Sequence, residues 1–440
     1  MGFADAYLQK ATLRDPLVEI EPHPDLKIIV TVPVYFESGL VRCLDSLFRR
    51  SLPENTKAEV LILVNAPASA PRAVLEQNQR TLCHARDWIR EHHHPSIDFH
   101  PLMDQTFARK EAGVGTARKI LMDEAVRRFN NVNNQNGIIA SMDADAVVEP
   151  NYLEALLEHF NKPETELEGC SVYYEHPLSV EEAIQSGLMD TGTALEEMTP
   201  GIIHAVTQYE LHLRYYVQAL RSTGFPHAFH TVGSAFAVRA DVYCKEGGMN
   251  RRQGGEDFYF IQKISQRGNY NDCLTTRVIP SPRPSDRVPF GTGPVIRKLM
   301  KEGGTLTTYD PRLFPMLGDL FTGLERLYPQ DDQNNTTWKD LLIPLVTQFL
   351  ETQQFETALE EIRANSASYP AFRKRFWRWF NMFRIMKFLH FARERGYPDI
   401  PVGDAAYQLL LQIRPEMLDP ARGKNDLKTL LMQFRKLDRP

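Results

Sequence analysis

The sequence predicts an α/β fold, with a mostly parallel sheet flanked by helices and a helical subdomain toward the C-terminus. Three observations support this prediction. Short apolar runs alternate with helical patterns up to about residue 160. These runs are continuous, as in strands that are buried on both faces. Beyond about residue 310 the chain is rich in helix formers and aromatic residues, as in FRKRFWRWFNMFRIMKFLHF.

The first strands and helices follow one another early in the chain. The run KIIVTVPV is β-branched and ends at Pro33, which predicts a buried strand that gives way to a loop. The stretch GLVRCLDSLFRR has apolar residues at helical spacing before Pro53. A second apolar run, AEVLILVNAP, precedes a long polar helix that extends to about residue 90. We expect a third strand between Ile97 and Met103.

The next elements lead into an acidic turn. VGTARKILMDEAVRRF has one apolar helical face, and GIIASMDADAVVEPNYLEALLEHF predicts a strand, an acidic turn and a helix. Strands that alternate with helices imply parallel pairing and a ligand crevice at the carboxyl ends of the strands. We therefore expect the acidic turn and the loops after the first two strands to face that crevice. The segment SPRPSDRVPFGTG is dense in Pro, Gly and Arg and predicts a loop.

The length of 440 residues exceeds what one hydrophobic core usually supports. We predict an N-terminal extension over residues 1–25, the α/β domain over 26–300 and a helical region over 301–440. No internal repeat or low-complexity tract argues for a different division.

Composition excludes several classes of protein. The formal net charge is −5 and the basic residues are scattered, so nucleic acid is not an expected partner. The five cysteines are widely spaced without a CxxC pair, which argues against a disulfide framework or a structural zinc and favours the cytoplasm. No apolar run approaches the roughly 20 residues of a membrane span. We therefore expect any membrane contact to be peripheral, at the inner face.

The strongest chemical signal is the acidic turn itself. Asp143 and Asp145 follow the apolar stretch 138–142 directly. Two carboxylates at positions i and i+2 beyond a strand end can both reach a hard divalent cation, which also binds phosphate oxygens. The pair fits Mg²⁺ or Mn²⁺ beside a diphosphate. Asp-x-Asp turns also occur as caps and solvated loops, so the spacing alone leaves both interpretations open.

A second acidic pair follows two glycines. Gly254 and Gly255 precede Glu256 and Asp257, and a helical pattern begins there. Acidic residues in the first turn of a helix stabilise its dipole, which is the structural interpretation. The functional interpretation makes Asp257 a general base that takes the proton from an attacking hydroxyl group. The glycines are better explained by the functional interpretation.

The order of these motifs resembles that of the family 2 glycosyltransferases, which have a Rossmann-like GT-A fold. The resemblance covers residues 27–285. It rests on six motifs that occur in the family's order. They are a Pro-x-Tyr-x-Glu-like loop at Pro33 to Glu37, a Gly and Arg that open a helix at Gly113 to Arg118, the Asp-x-Asp at Asp143 to Asp145, a strand with Gly and Arg at Gly233 to Arg239, a Gly-Gly at Gly247-Gly248 and a Glu-Asp at Glu256-Asp257. The family's carboxylate after the second strand is replaced by Asn65.

The resemblance implies a metal-dependent, inverting transfer of a sugar from a nucleotide-diphospho-sugar to an acceptor hydroxyl. Asp257 is the implied base, with Glu256 beside it in the catalytic pair. The implied metal ligands are Asp143, Asp145 and a later residue, for which we choose His230 over His227 and Asp286; a hydrogen-bonded histidine is the structural alternative. The expected donor contacts are Pro33, Tyr35, Glu37, Asn65, Arg118, Asp143 and Arg287, and Arg283 would join Arg287 in clamping the diphosphate.

The family also suggests a carbohydrate or glycolipid acceptor in surface polysaccharide assembly. Two other enzyme classes fit less well. A haloacid-dehalogenase-type phosphohydrolase needs its acidic motif on the first strand and Thr where this chain has Val147, and a sugar-nucleotide pyrophosphorylase needs a Gly-rich basic loop in place of VPVYFESG. A binding or scaffold protein that keeps the fold without turnover stays open as an alternative.

Overall fold

The computed structural model describes residues 2–49, 52–109, 111–162, 166–287, 291–328, 337–418 and 426–440. The chain divides into two compact units. Unit one consists of residues 1–206 and 231–303, and unit two consists of residues 207–230 and 304–440. The second unit therefore combines the C-terminal region with a segment from within the predicted α/β domain.

Unit one is built on an eight-stranded sheet. Its strands are β1 Leu26–Val34, β2 Lys57–Pro67, β3 Ile97–Phe107, β4 Ile138–Ser141, β5 Val147–Val148, β6 Gly169–Tyr174, β7 Phe236–Arg239 and β8 Tyr270–Ile279. Their order is β3-β2-β1-β4-β7-β6-β8-β5. Strands β3, β2, β1 and β4 are parallel neighbours, whereas β7 runs antiparallel to β4 and β6. The predicted α/β class with a mostly parallel sheet is confirmed.

Helices surround this sheet. They are α1 Asp5–Ala11, α2 Leu40–Phe48, α3 Arg72–Glu91, α4 Val114–Asn131, α5 Tyr152–Phe160, α6 Val180–Gln185, α7 Thr191–Glu197, α9 Ala240–Lys245, α10 Glu256–Ser265 and α11 Thr292–Glu302. Helix α8, Pro200–Ser222, begins in unit one and belongs to unit two from residue 207 onward. Strand β1 is buried at every position except Lys27, because helices cover both faces of the sheet. This burial on both faces explains the continuous apolar run in the sequence.

The register of the sheet brings two loops to the same edge. Thr31 of β1 lies opposite Ser141 of parallel β4, so both strands end on the same side. The loop that starts at Tyr35 and the acidic turn that starts at Asp143 therefore emerge next to each other.

The N-terminal extension lies along α4. Its backbone donates hydrogen bonds to polar side chains of that helix, from Ala4 to Asn130 Oδ1 at 2.9 Å and from Leu17 and Val18 to the carboxylate of Glu124. In return Arg128 donates to the carbonyl oxygen of Ile20 at 2.8 Å. Helix α4 is thus held from outside by the extension as well as packed against the sheet.

Unit two is mainly helical, as the predicted subdomain requires. It contains α12 Leu313–Thr322, α13 Leu324–Leu327, α14 Pro344–Thr352, α15 Phe355–Ala364, α16 Tyr369–Trp379, α17 Met382–Arg393, α18 Val402–Ile413, α19 Leu427–Asp438, short 3₁₀ helices at Trp338–Leu341 and Pro415–Met417, and a strand pair β9 Thr307–Thr308 and β10 Ile400–Pro401. The rings of Phe376 and Phe380 are buried and stack at 5.7 Å. None of the helices in the described ranges is both long and apolar enough to cross a bilayer.

A buried ionic cluster joins α19 to α8 within unit two. Asp438 accepts hydrogen bonds from Arg214 Nη1 at 2.5 Å, Gln218 Nε2 at 2.5 Å and His230 Nε2 at 3.1 Å. Arg214 also donates to Glu210 at 2.8 Å. Burial alone would raise the pKa of Asp438, but the charges of its basic partners hold that pKa far below the ordinary value. The carboxylate is therefore ionised throughout the neutral range.

We predict that Asp438→Asn lowers the free energy of unfolding by roughly 3 kcal/mol, because a buried cation loses its counter-charge. Three of the four tryptophans lie in residues 304–440, so tryptophan fluorescence during urea unfolding reports on this unit. The matched control is Asp399→Asn in the half-exposed pair with Arg393, which should cost less than about 1 kcal/mol.

The expected pH dependence of the free energy of unfolding follows from the lowered pKa of Asp438. Because the folded pKa of Asp438 is lowered, its contribution is present at pH values above that of an unfolded aspartate. The contribution is lost only as the pH falls through the lowered folded value. Equal losses in the two variants at pH 7 would contradict the role of burial.

Candidate active site

Three segments of the chain converge at the carboxyl ends of β1 and β4. The acidic turn follows β4, and α10 begins with Glu256 after Gly255, whose φ of 71° is in the left-handed region that suits glycine. The approach to β7 lies beside the turn, since Ser141 Oγ donates to the carbonyl oxygen of Gly233 at 2.8 Å. The two acidic motifs of the sequence thus face each other across a short distance.

Arg118 of α4 connects these two motifs. Its side chain is only 2% exposed. One nitrogen, Nη2, lies 2.7 Å from Asp143 Oδ1, and Nη1 donates to the carboxylate of Glu256. Burial would lower the pKa of Arg118, but the carboxylates of Glu256, Asp143 and Asp257 raise it above the ordinary value. Arg118 is therefore a permanent cation between the acidic turn and α10.

Asp257 approaches the same guanidinium group. A Cβ atom placed on Gly233 would lie 2.9 Å from both Asp257 Oδ2 and Arg118 Nη2, so the two groups converge on one point. The other oxygen of Asp257 accepts a hydrogen bond from the backbone of Phe258 at 2.7 Å. Burial raises the pKa of Asp257 above that of an ordinary aspartate, although Arg118 opposes the shift.

Glu256 differs from its neighbour. Its side chain is 3% exposed and its carboxylate is paired with Arg118. Burial raises its pKa, and the guanidinium opposes this shift as well. Of the predicted catalytic pair, Glu256 therefore holds Arg118 in place.

The two carboxylates of the acidic turn have different electrostatic surroundings. Both line the cleft, where 41% of the Asp143 side chain and 28% of the Asp145 side chain remain accessible. Loss of hydration raises the pKa of Asp143 to about 6, although Arg118 opposes the shift. Burial would also raise the pKa of Asp145, but Arg287 and Arg283 hold that pKa below the ordinary value.

Two arginines from the loop after β8 contact the acidic turn. We call residues 281–287 the arginine loop. Arg287 donates to Glu37 Oε2 and to Asp145 Oδ2, each at 2.7 Å. Arg283 donates to the carboxylate of Glu37 and lies 3.1 Å from Asp145 Oδ2. Glu37 is 1% exposed and anchors both guanidinium groups.

The acidic turn fits a divalent cation. Asp143 and Asp145 present accessible, charged oxygen donors, which hard cations prefer. In the part of the chain that is described, no group of three or more His, Cys, Asp or Glu side chains could hold a metal ion. Two carboxylates suffice where water and substrate phosphates supply the remaining ligands, as is usual for Mg²⁺.

The third predicted metal ligand has another partner. His230 belongs to unit two, and its Nε2 lies 3.1 Å from Asp438. The metal-binding role of His230 stays a prediction.

The remaining predicted donor contacts lie at the ends of β1 and β2. Pro33 is buried within β1, and Tyr35 is half-buried just beyond it. Asn65 is buried near the end of β2, and its carbonyl oxygen accepts a hydrogen bond from Asn78 of α3 at 2.9 Å. Sequence reasoning missed Asn78, although a polar residue on the buried face of a helix is a usable signal.

A polar cavity of about 180 Å³ adjoins Asp145. The α6–α7 segment, to which sequence reasoning assigned no role, forms one wall. Arg42 connects this wall to α2 through Asp190 Oδ2 at 2.5 Å and Thr193 Oγ1 at 3.2 Å. The cleft thus continues from the acidic turn into this cavity.

Comparison with known proteins gives limited similarity. No protein-family model and no curated protein matches the chain. Solved structures that match include the mannosyltransferase PcManGT from Pyrobaculum calidifontis in complex with GDP-Man and Mn²⁺, at 14% identity over 99% of this chain and 92% of that one, with a TM-score of 0.33. Another is TarS from S. aureus in complex with UDP-GlcNAc, at 12% identity over 93% of this chain and 92% of that one, with a TM-score of 0.36.

We predict that Arg118→Met lowers the free energy of unfolding by about 3–5 kcal/mol, because it leaves Glu256 as an unpaired buried charge. Asp143 keeps part of its hydration and contributes less. The double variant Arg118→Met with Glu256→Leu should recover most of the loss, since it removes both buried charges. Urea unfolding of the single and double variants measures this difference.

The pH dependence provides a second check on the same pair. Without Arg118 the folded pKa of Glu256 rises further, so the deficit in stability should grow as the pH rises above the pKa of an unfolded glutamate and shrink as the pH falls toward it. A double variant as unstable as the single one would show that the ion pair is not the cause.

Proposed function

We propose that this chain is a metal-dependent, inverting glycosyltransferase that moves a sugar from a nucleotide-diphospho-sugar to an acceptor hydroxyl group. The observation that carries the proposal is the position of Arg118, which pairs with Asp143 of the acidic turn and converges with Asp257 beside Gly233. A carboxylate pair suited to a metal diphosphate and a half-buried carboxylate suited to proton transfer thus share one cleft.

The donor side of the reaction requires stabilisation of a diphosphate leaving group. Asp143 and Asp145 would hold Mg²⁺ or Mn²⁺, which would supply positive charge to offset the negative charge of the leaving diphosphate. Arg283 and Arg287 already pair with carboxylates at the acidic turn. Guanidinium groups also bind phosphate oxygens, often bidentately, so both arginines can exchange a carboxylate for the diphosphate.

The acceptor side requires a base. Asp257 takes the proton of the acceptor hydroxyl. The oxygen of that hydroxyl attacks the anomeric carbon, and the bond from this carbon to the diphosphate oxygen breaks. The raised pKa of Asp257 makes it a stronger base than an ordinary aspartate. A single displacement inverts the anomeric centre without a covalent intermediate. Glu256 takes part by holding Arg118 in place.

The acceptor and location are further parts of the proposal. We propose a carbohydrate or glycolipid acceptor in surface polysaccharide assembly, with the enzyme in the cytoplasm or at the inner membrane face. The polar cavity beside Asp145 provides space for a hydroxylated substrate. GDP-mannose and UDP-GlcNAc are suitable first donors, together with dTDP-sugars.

The first experiment measures nucleotide release from UDP-, GDP- and dTDP-sugars with Mn²⁺, Mg²⁺ or EDTA. We expect one nucleotide to be released in a metal-dependent manner, and Asp145→Asn to abolish the release because it removes a charged ligand. Asp87→Asn is the control, since Asp87 is an exposed residue of α3 that pairs with Arg90. Donor binding without turnover would favour the non-catalytic binding protein, and binding of no nucleotide sugar would exclude both.

A second prediction concerns Gly233. In Gly233→Ala the new methyl group must displace Asp257 or Arg118, and a displacement of about 1 Å can reduce the rate on the order of 100-fold. We expect this loss in kcat/KM with little change in thermal stability. Gly318→Ala is the control, because a Cβ atom there meets nothing closer than 3.6 Å. Full activity in Gly233→Ala would contradict the proposed convergence.

A further inference from the structure

The basic residues of the chain are scattered except in one part of unit two. Residues 369–395, which we call the basic segment, include eight arginine or lysine residues and one acidic residue, so their formal charge is +7. The whole chain carries a formal charge of −5. An asymmetry of this size along a sequence indicates a surface for an anionic partner.

The two helices of the basic segment are anchored by their apolar sides. Phe372 and Phe376 of α16 and Phe388 of α17 are fully buried. The exposed positions of both helices include five cations, which are Arg373, Lys374, Arg375, Arg378 and Lys387. The segment is therefore an amphipathic surface whose outer side is basic.

These five exposed cations are not balanced by nearby acids. None of them forms an ion pair with another residue in the described ranges, whereas Arg72, elsewhere on the surface, pairs with Glu76. Lys374 and Arg378 lie four positions apart on one side of α16, where like charges repel each other. This repulsion destabilises the helix slightly, so the fold gives no reason for the charges.

Arg384 is a further cation without a carboxylate partner. It is half-buried near the start of α17, with its guanidinium carbon 3.9 Å from the centre of the Trp379 ring. One nitrogen donates to the carbonyl oxygen of Trp379. Burial lowers the pKa of Arg384, and no carboxylate of the described residues opposes this shift, in contrast to Arg118. A phosphate group from outside the chain would supply the missing negative charge.

We propose that the basic segment docks on the surface of an anionic lipid membrane. Phosphate headgroups would balance its exposed cations. Phe383 is half-buried and lies four positions before Lys387, so its ring can enter the headgroup layer while the lysine extends to the phosphates. This inference names the membrane partner that the proposed function leaves open, and it rests on that function for the choice of the inner membrane face.

The charge distribution favours a membrane over a nucleic acid. A membrane is flat, so contact requires only one side of α16 and α17. The net charge of −5 works against a polyanion that wraps around the protein. A nucleic-acid duplex is also bound through its phosphates and offers no apolar layer for Phe383.

The test measures co-sedimentation of the full chain with extruded vesicles. The vesicles consist of phosphatidylcholine alone or with roughly one-third phosphatidylglycerol, which supplies the negative charge. We expect binding to the anionic vesicles and not to the neutral ones. Binding should be lost between about 0.1 M and about 0.5 M salt, because salt shortens the range of the attraction. The assay contains no donor or acceptor, so its result does not depend on turnover.

The main variant reverses two charges on α16. Lys374→Glu with Arg378→Glu should weaken binding to anionic vesicles at least about 30-fold, since each basic residue near such a surface strengthens binding about five-fold. The matched control is Arg86→Glu with Arg90→Glu, an exposed pair with the same spacing on α3. The control should bind vesicles like the wild type. Both double variants should release nucleotide at the wild-type rate when no vesicles are present.

A single substitution separates binding from stability. Lys374→Glu turns the repulsion with Arg378 into an attraction at helical spacing, so the melting temperature should stay the same or rise. Binding to anionic vesicles should nevertheless fall at least about five-fold. A lower melting temperature would show that the lysine serves the fold instead.

Three outcomes of the vesicle assay would overturn the inference. One is the failure of the wild type to bind anionic vesicles, and another is an equal loss of binding in the two double variants. The third is tighter binding of a DNA or RNA oligonucleotide than of anionic vesicles, which would assign the basic segment to nucleic acid. The proposed transfer reaction would survive all three, because it fails only if no nucleotide sugar binds.

Discussion

A single buried cation, Arg118, determines how the cleft is assembled. Its guanidinium group is inaccessible to water, so its charge must be balanced by carboxylates, and these come from the acidic turn and from α10. Among the described residues, the interacting groups at the acidic turn and the start of α10 are five carboxylates and three guanidinium groups, from Glu37, Asp143, Asp145, Glu256, Asp257, Arg118, Arg283 and Arg287. Fully ionised, these groups leave two negative charges, which a divalent cation would offset.

The support for Arg118 extends to the start of the chain. Arg118 lies near one end of α4. Toward the other end of this helix, Asn130, Glu124 and Arg128 form hydrogen bonds with the N-terminal extension. Further along the same helix, Asp123 accepts hydrogen bonds from Tyr7 and Tyr243 at 2.7 and 2.8 Å. The extension is thus a structural part of unit one, since it packs on the helix that provides the central cation.

Local patterns in the sequence were sufficient to predict the fold class, because buried parallel strands need continuous apolar runs. They were also sufficient to locate the acidic motifs, because loops follow the ends of such strands. The partners of the charged residues were not predictable in the same way. Arg118 and Glu256 are 138 residues apart, and His230 and Asp438 are 208 apart, so only the folded chain brings each pair together. For the same reason the sequence did not reveal that residues 207–230 belong with the C-terminal region.

The close approach of α4 to the segment before α10 bears on how this cleft can diversify. A Cβ atom on Gly115 would lie 2.2 Å from the carbonyl oxygen of Arg252, so a side chain at position 115 would collide with backbone. The side chains of Arg251, Arg252 and Gln253 are exposed. Substitutions of Arg251 and Gln253 can therefore change this surface without disturbing the backbone contact beneath it, whereas any side chain at position 115 would force α4 and this segment apart.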